Sequence, residues 1–129
     1  MKVAVVGSRD FDDFDYLSAI LDCTRNLPGI DLIISGGARG ADRLAEQYAK
    51  QHTIPIKIFY AEWDKYGKSA GYRRNIDIIN EAEMVIAFWD GKSKGTKHSI
   101  DLAKKQGKLI SVYTFGEFLH QEMDKYRDV

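Results

Sequence analysis

The stretch Asp31-Leu32-Ile33-Ile34-Ser35-Gly36-Gly37-Ala38-Arg39-Gly40-Ala41-Asp42-Arg43-Leu44-Ala45 decides the fold. Leu32, Ile33 and Ile34 are a short apolar run that reads as a strand. Ala41, Leu44, Ala45, Tyr48 and Ala49 then recur at helical spacing and form one apolar stripe. Three glycines separate the two patterns. Strand, glycine loop and helix in that order belong to a parallel sheet covered by helices.

Reading outward from there, the alternation continues in both directions. Lys2-Val3-Ala4-Val5-Val6 is a near-continuous β-branched run, suited to a strand buried on both faces, and it ends in Gly7-Ser8-Arg9. A helix is expected from about Asp13, turning Leu17, Ile20, Leu21 and Thr24 inward, until Pro28-Gly29 stops it. Pro55 to Tyr60 gives a third strand, and Lys68 to Ala82 a helix packed through Ile76, Ile79 and Ala82. Met84 to Phe88 is a fourth strand, Trp89 to Thr96 a loop, Ser99 to Gln106 a helix and Leu109 to Tyr113 a fifth strand. The expected architecture is one α/β, Rossmann-like, three-layer domain over residues 1–129, with its core in 1–113 and a helix or tail in 114–129. Its parallel sheet of about five strands takes the order 3-2-1-4-5, with helices on both faces.

Nineteen basic and 19 acidic side chains cancel to a formal net charge of zero, which argues against a protein held on DNA by a global basic field. Nucleic acid is therefore not an expected partner, although a local basic site remains compatible with neutrality. Cys23, the single cysteine, has no disulfide partner and is expected to be a buried structural thiol. No Cys/His cluster has zinc-ligand spacing, so no metal site is expected. The opening apolar run, Val3 to Val6, is far too short for a signal sequence or a membrane span; no membrane association and a cytoplasmic location follow as defaults.

In an open parallel sheet, ligands bind beyond the carboxyl ends of the strands, where the strand order reverses. Three glycine-rich segments leave those ends here: Gly7-Ser8-Arg9, Ser35 to Asp42, and Asp90-Gly91-Lys92-Ser93-Lys94-Gly95-Thr96. In the order 3-2-1-4-5 they converge. Gly36 and Gly37 allow positive φ and close approach of a ligand, and the helix starting near Gly40 aims its unpaired N–H groups at the same place. A phosphate satisfies both, and Ser35 adds a hydroxyl. Asp42 reads as a helix cap or an acceptor of backbone N–H groups.

Other patterns carry less. Gly91-Lys92-Ser93-Lys94-Gly95 matches the nucleophile-elbow spacing of serine hydrolases, but only one strand follows it and His120 lies in the tail. Neither a Walker loop nor the dinucleotide glycine fingerprint occurs. Asp10, Asp12, Asp13 and Asp15 precede a helix and suit capping better than a metal. His98 reads either as a base or as a surface or capping residue. Trp89 stacks on a base or packs at the rim, and Tyr60, Trp63, Tyr66 and Tyr72 serve either self-association or the pocket.

Gly7-Ser8-Arg9-Asp10-Phe11, Ser35 to Ala45, Ala70-Gly71-Tyr72-Arg73-Arg74-Asn75 and Ala87-Phe88-Trp89-Asp90-Gly91 with Gly95-Thr96 together resemble the YspA-like branch of the SLOG superfamily. The resemblance implies a Rossmann-like fold that binds, senses or processes nucleotides or their derivatives. A ligand of the ADP-ribose, NAD or nucleoside phosphate class is the expected cofactor, with Mg2+ admitted as its companion, and a homo-oligomer is expected. The second motif is also similar to the loop of DNA-processing protein A, which binds single-stranded DNA. Related LOG enzymes hydrolyse N-glycosidic bonds of nucleoside monophosphates, using a glutamate three residues after the Gly-Thr pair and an arginine on the preceding helix. Arg74 matches the arginine, whereas Ser99 stands in the glutamate's place and Asp101 lies on a different helix face.

The expected function is thus a nucleotide-binding or sensing domain. A nucleotide-processing hydrolase, with Arg74 and Asp90 as catalytic groups, is the alternative, and a single-stranded DNA-binding module the second. The expected ligand-binding set is Gly7, Ser8, Arg9, Ser35, Gly36, Gly37, Ala38, Arg39, Gly40, Asp42, Arg74, Asn75, Trp89, Asp90, Gly91, Ser93, Gly95 and Thr96.

Overall fold

Alternation along β1 (Lys2–Gly7) sends Val3 and Val5 to one face of the sheet and Ala4 and Val6 to the other, and all four are buried. Such a strand needs cover on both sides. A computed structural model, which describes residues 1–116, supplies it. Strands β2 (Leu32–Ser35), β3 (Ile56–Ile58), β4 (Met84–Trp89) and β5 (Leu109–Thr114) join β1 in one sheet of order β3-β2-β1-β4-β5, parallel throughout. Helices α1 (Phe14–Asn26) and α2 (Ala41–Gln51) cover one face, through Leu17, Leu21, Ala45 and Tyr48. A four-residue helix α3 (Trp63–Tyr66) and a 3-10 turn (Gly67–Ser69) lead into α4 (Ala70–Glu81). With α5 (Lys94–Lys105), α4 covers the other face through Ile78, Ile79, Ile100 and Ala103. The three-layer, Rossmann-like α/β architecture is as expected.

Several local expectations are corrected. Cys23 is exposed, because it lies on the outer side of α1, whose buried residues are Leu17, Leu21 and Thr24. Ile76 is 40% exposed; α4 instead turns Asn75, Ile78 and Ile79 inward. Helix α5 starts at Lys94 rather than Ser99, since the Ser93 hydroxyl accepts the Thr96 N–H at 3.4 Å and caps it. Strand β3 shrinks to three residues at the sheet edge, where only β2 pairs with it. The expected cap of α1 is present: Asp13 accepts the Tyr16 N–H at 3.0 Å, which gives one residue of the acidic run its role. The expected tail from 114 begins later, since β5 runs to Thr114; residues 117–129 lie outside the described residues. Among the described residues no helix is long and apolar enough to cross a membrane.

Candidate functional site

Strand order reverses between β1 and β4, and Gly7 of β1 stands beside Phe88 of β4. Just beyond, the Ser8 N–H donates to the Phe88 carbonyl at 2.9 Å and the Asp90 N–H donates to the Ser8 hydroxyl at 3.2 Å. These bonds hold the exits of the two strands together. A cavity of about 360 Å3 opens above them, within the ~300–1,000 Å3 range of small-molecule sites. The β1 loop contributes Gly7, Ser8, Arg9 and Asp10; the β2 loop and α2 contribute Ala38, Arg39 and Asp42. Arg74, Asn75 and Ile78 enter from α4, and Asp90, Ser93, Gly95, Thr96 and Ser99 from the β4 loop and α5. The three glycine-rich loops converge, as the strand order requires.

The loop after β2 is organised mainly by its own side chains. The fully buried Ser35 hydroxyl donates to Glu46 Oε2 at 2.7 Å and accepts the Gly37 N–H at 3.2 Å. Asp42 Oδ2 accepts the Ala38 N–H at 3.1 Å. Ser35 does not line the cavity, and its hydroxyl is engaged within the loop. Gly40, at φ +83°, lies so close to the β1 loop that a Cβ would meet the Ser8 and Arg9 carbonyls, and it does not line the cavity. Trp89 donates its indole N–H to the Ser93 carbonyl at 3.1 Å, a rim-packing role, and neither Trp89 nor Gly91 lines the cavity. Gly36 and Gly37 face a second lobe of about 490 Å3 instead, shared with Tyr60, Ala61 and Trp63. The two lobes have Arg9, Ala38, Arg39 and Arg74 in common.

Charge in the cavity is mixed: Arg9, Arg39 and Arg74 against Asp10, Asp42 and Asp90. The carboxylates are largely engaged within the protein. Asp90 Oδ1 accepts the Lys92 and Ser93 N–H groups, both at 2.8 Å; burial pushes its carboxyl up, but these bonds prevail and hold it below its ordinary value. Burial pushes the Asp42 carboxyl up to about 7, against the opposing pull of the Ala38 N–H and the Arg74 guanidinium. Asp10 and Arg39 form a solvent-exposed pair at 3.9 Å, a contact of small energetic weight.

The arginines are left with capacity to spare. The Arg9 side chain makes no ion pair or hydrogen bond among the described residues. Arg74 donates through Nη1 to the Gly36 carbonyl at 3.0 Å, while its buried Nε has no hydrogen-bond partner. A buried N–H without an acceptor costs about 1–3 kcal/mol. Burial, opposed by Asp42 and assisted by Arg9, pulls the Arg74 guanidinium below its ordinary value. An anion in the cavity would be drawn to the three guanidinium groups that line it.

Asn75 ties the floor together, donating to the Gly95 carbonyl at 3.3 Å beside His98 Nδ1 at 3.4 Å. His98 itself does not line the cavity; its ring packs edge-on against Tyr72 with centroids 4.7 Å apart, and burial holds it below its ordinary value. It therefore does not face the cavity as a base would. Val6, Asp10, Ile78 and Ser99 also line the cavity and were not among the expected contacts. Helical spacing could have found two of them, since Ile78 follows Arg74 by four residues and Ser99 follows Thr96 by three.

A family model described as "YspA, cpYpsA-related SLOG family" matches residues 1–66. The Gene 61 protein of Mycobacterium phage D29 is 33% identical over 123 residues, covering 90% of this chain and 97% of the phage protein. Two solved structures share the fold. DNA processing protein A of Streptococcus pneumoniae superposes with a TM-score of 0.75 at 20% identity, over 90% of this chain and 51% of that one. The Helicobacter pylori protein, described as having a unique single-stranded DNA binding mode, superposes with a TM-score of 0.69 at 22% identity. That match covers 91% of this chain and 66% of the other, so this chain spans about half to two-thirds of these relatives. The expectation that nucleic acid is an unlikely partner is corrected: the Helicobacter pylori neighbour is described as binding single-stranded DNA. Net charge summed over the chain was a poor guide, because it does not register that folding gathers Arg9, Arg39 and Arg74 at one cavity.

Proposed function

From the premise that this chain belongs to the YspA, cpYpsA-related SLOG family, we propose that it binds a nucleotide or nucleotide derivative, holding its phosphate in the cavity at the strand ends. One observation carries the reading: three arginines, Arg9, Arg39 and Arg74, meet at that cavity. Guanidinium groups match phosphate oxygens in a bidentate fork. The Ser93-capped start of α5 adds helix-dipole attraction for the same charge. Binding is favoured over N-glycosidic hydrolysis because Ser99, buried in the cavity wall, offers no carboxylate for a cationic sugar. Asp90, the other candidate for chemistry, spends one oxygen on two backbone N–H groups.

The test is a thermal-shift panel of ADP-ribose, NAD and AMP, with and without Mg2+. At least one should raise the melting temperature of the wild type and not of Arg74→Ala. A panel without any shift would refute the proposal. A second reading, single-stranded DNA binding, is favoured by the likeness to the Helicobacter pylori protein. A salt-titrated gel shift separates it, since phosphate-driven binding weakens steeply with salt.

A further inference from the structure

Tyr60 and Trp63 are 68% and 51% exposed, and neither side chain makes a ring contact or a hydrogen bond among the described residues. Exposed aromatics taken singly need no explanation. These two are not scattered: both line the second lobe, whose remaining wall includes Arg9, Arg39 and Arg74. Tyr60 stands two residues beyond β3 and is seated against the loop: a Cβ on Gly37 would lie 2.7 Å from its ring. Trp63 opens α3 and rests its indole edge over Gly71, where a Cβ would lie 3.4 Å away. Glycines at both places let the rings come close to the backbone and leave their remaining surface to the lobe.

We propose that Tyr60 and Trp63 form a stacking platform for a nucleobase whose phosphate is held by the arginine wall shared with the neighbouring cavity. The inference rests on the phosphate-binding reading and adds to it the position of the base. Flat aromatic faces beside guanidinium groups suit a base because every base has a π-face, and the stacking is tolerant of its identity. The shared arginines join the two lobes, so one ligand can touch both. The base comes either from a free nucleotide or from a strand of single-stranded nucleic acid.

The experiment is calorimetric titration of the full chain with AMP, ribose 5-phosphate and a short oligodeoxyadenylate. The wild type is compared with Tyr60→Ala/Trp63→Ala and with the conservative Tyr60→Phe/Trp63→Tyr. AMP should bind the wild type more tightly than ribose 5-phosphate. The alanine pair should lose about 5- to 150-fold in AMP affinity while ribose 5-phosphate is unaffected, and the conservative pair should restore AMP binding. Tighter binding of the oligonucleotide, lost in the alanine pair, would identify a strand as the source of the base. Two outcomes overturn the platform and leave the phosphate reading standing. One is equal affinity of the wild type for AMP and ribose 5-phosphate; the other is an alanine pair that binds AMP unchanged and alters only the oligomeric state. If the wild type binds none of the three probes, both readings fall together.

Discussion

Asp42→Asn should stabilise the protein at alkaline pH while removing part of its pH dependence. Asp42 is 7% exposed, and burial raises its carboxyl from the usual 3.8 to about 7. A group held protonated by the fold contributes stability below its unfolded value, and that contribution is lost as the pH rises through 3.8 toward about 7. At 1.36 kcal/mol per unit, a shift of this size corresponds to ~4 kcal/mol lost by pH 8, of which ~2–3 kcal/mol disappears between pH 5 and pH 8. An asparagine carbonyl still accepts the Ala38 N–H but serves the Gly36 N–H less well, a loss of about 1 kcal/mol. The net expectation is a variant ~1–3 kcal/mol more stable than wild type at pH 8. Urea denaturation at pH 5 and pH 8 measures it, because each pair shares one unfolded-state reference. If the stability difference between variant and wild type is the same at both pH values, Asp42 is an ordinary ionised carboxylate and the reasoning fails.

Three further outcomes follow from particular contacts. Arg74→Ala removes the guanidinium that spans Gly36 and the cavity, so phosphate-bearing ligands should bind about 10- to 100-fold more weakly by calorimetry. Ser35→Ala strips Glu46 and the Gly37 N–H of a partner inside the loop; it should cost ~1–3 kcal/mol in denaturation. The same variant should bind ribose 5-phosphate within a few fold of wild type, whereas a hydroxyl that touched the ligand would show a larger loss. Gly40→Ala forces a Cβ to 2.6 Å from the Arg9 carbonyl at φ +83°, so it should lower the melting temperature and, by separating the two loops, weaken ligand binding as well.

Strand order and layer arrangement were legible because they rest on patterns that survive tertiary context. Val3 to Val6 could only be a strand covered twice, and the stripe from Ala41 to Ala49 could only face the sheet. The convergence of three loops then followed from topology. What escaped the sequence was the use of each polar group. Ser35, Gly36, Gly37, Gly40 and Asp42 look alike as phosphate ligands in one dimension. In the fold, Ser35 bonds Glu46, Gly40 accommodates the β1 loop, and Gly36 and Gly37 face the second lobe. Of these residues Asp42 alone lines the main cavity, with its carboxyl turned to the Ala38 N–H. Such assignments depend on how the loop folds back on α2 and packs on the β1 loop, which the order of residue types does not state. Cys23 failed for a related reason: a helix covered on one face has an outer side, and composition does not say which residue takes it.

The central claim, that the strand-end cavity holds the phosphate of a nucleotide-like ligand, is tested most directly by mapping backbone amide NMR shifts during titration with ADP-ribose. The account predicts saturable shifts at Ser8, Arg9, Arg39, Asn75 and Thr96, and at Ala61 and Trp63 as the base seats, with the outer side of α1 around Cys23 unchanged. Saturation with shifts confined to α1 and β5, away from the three arginines, would contradict it.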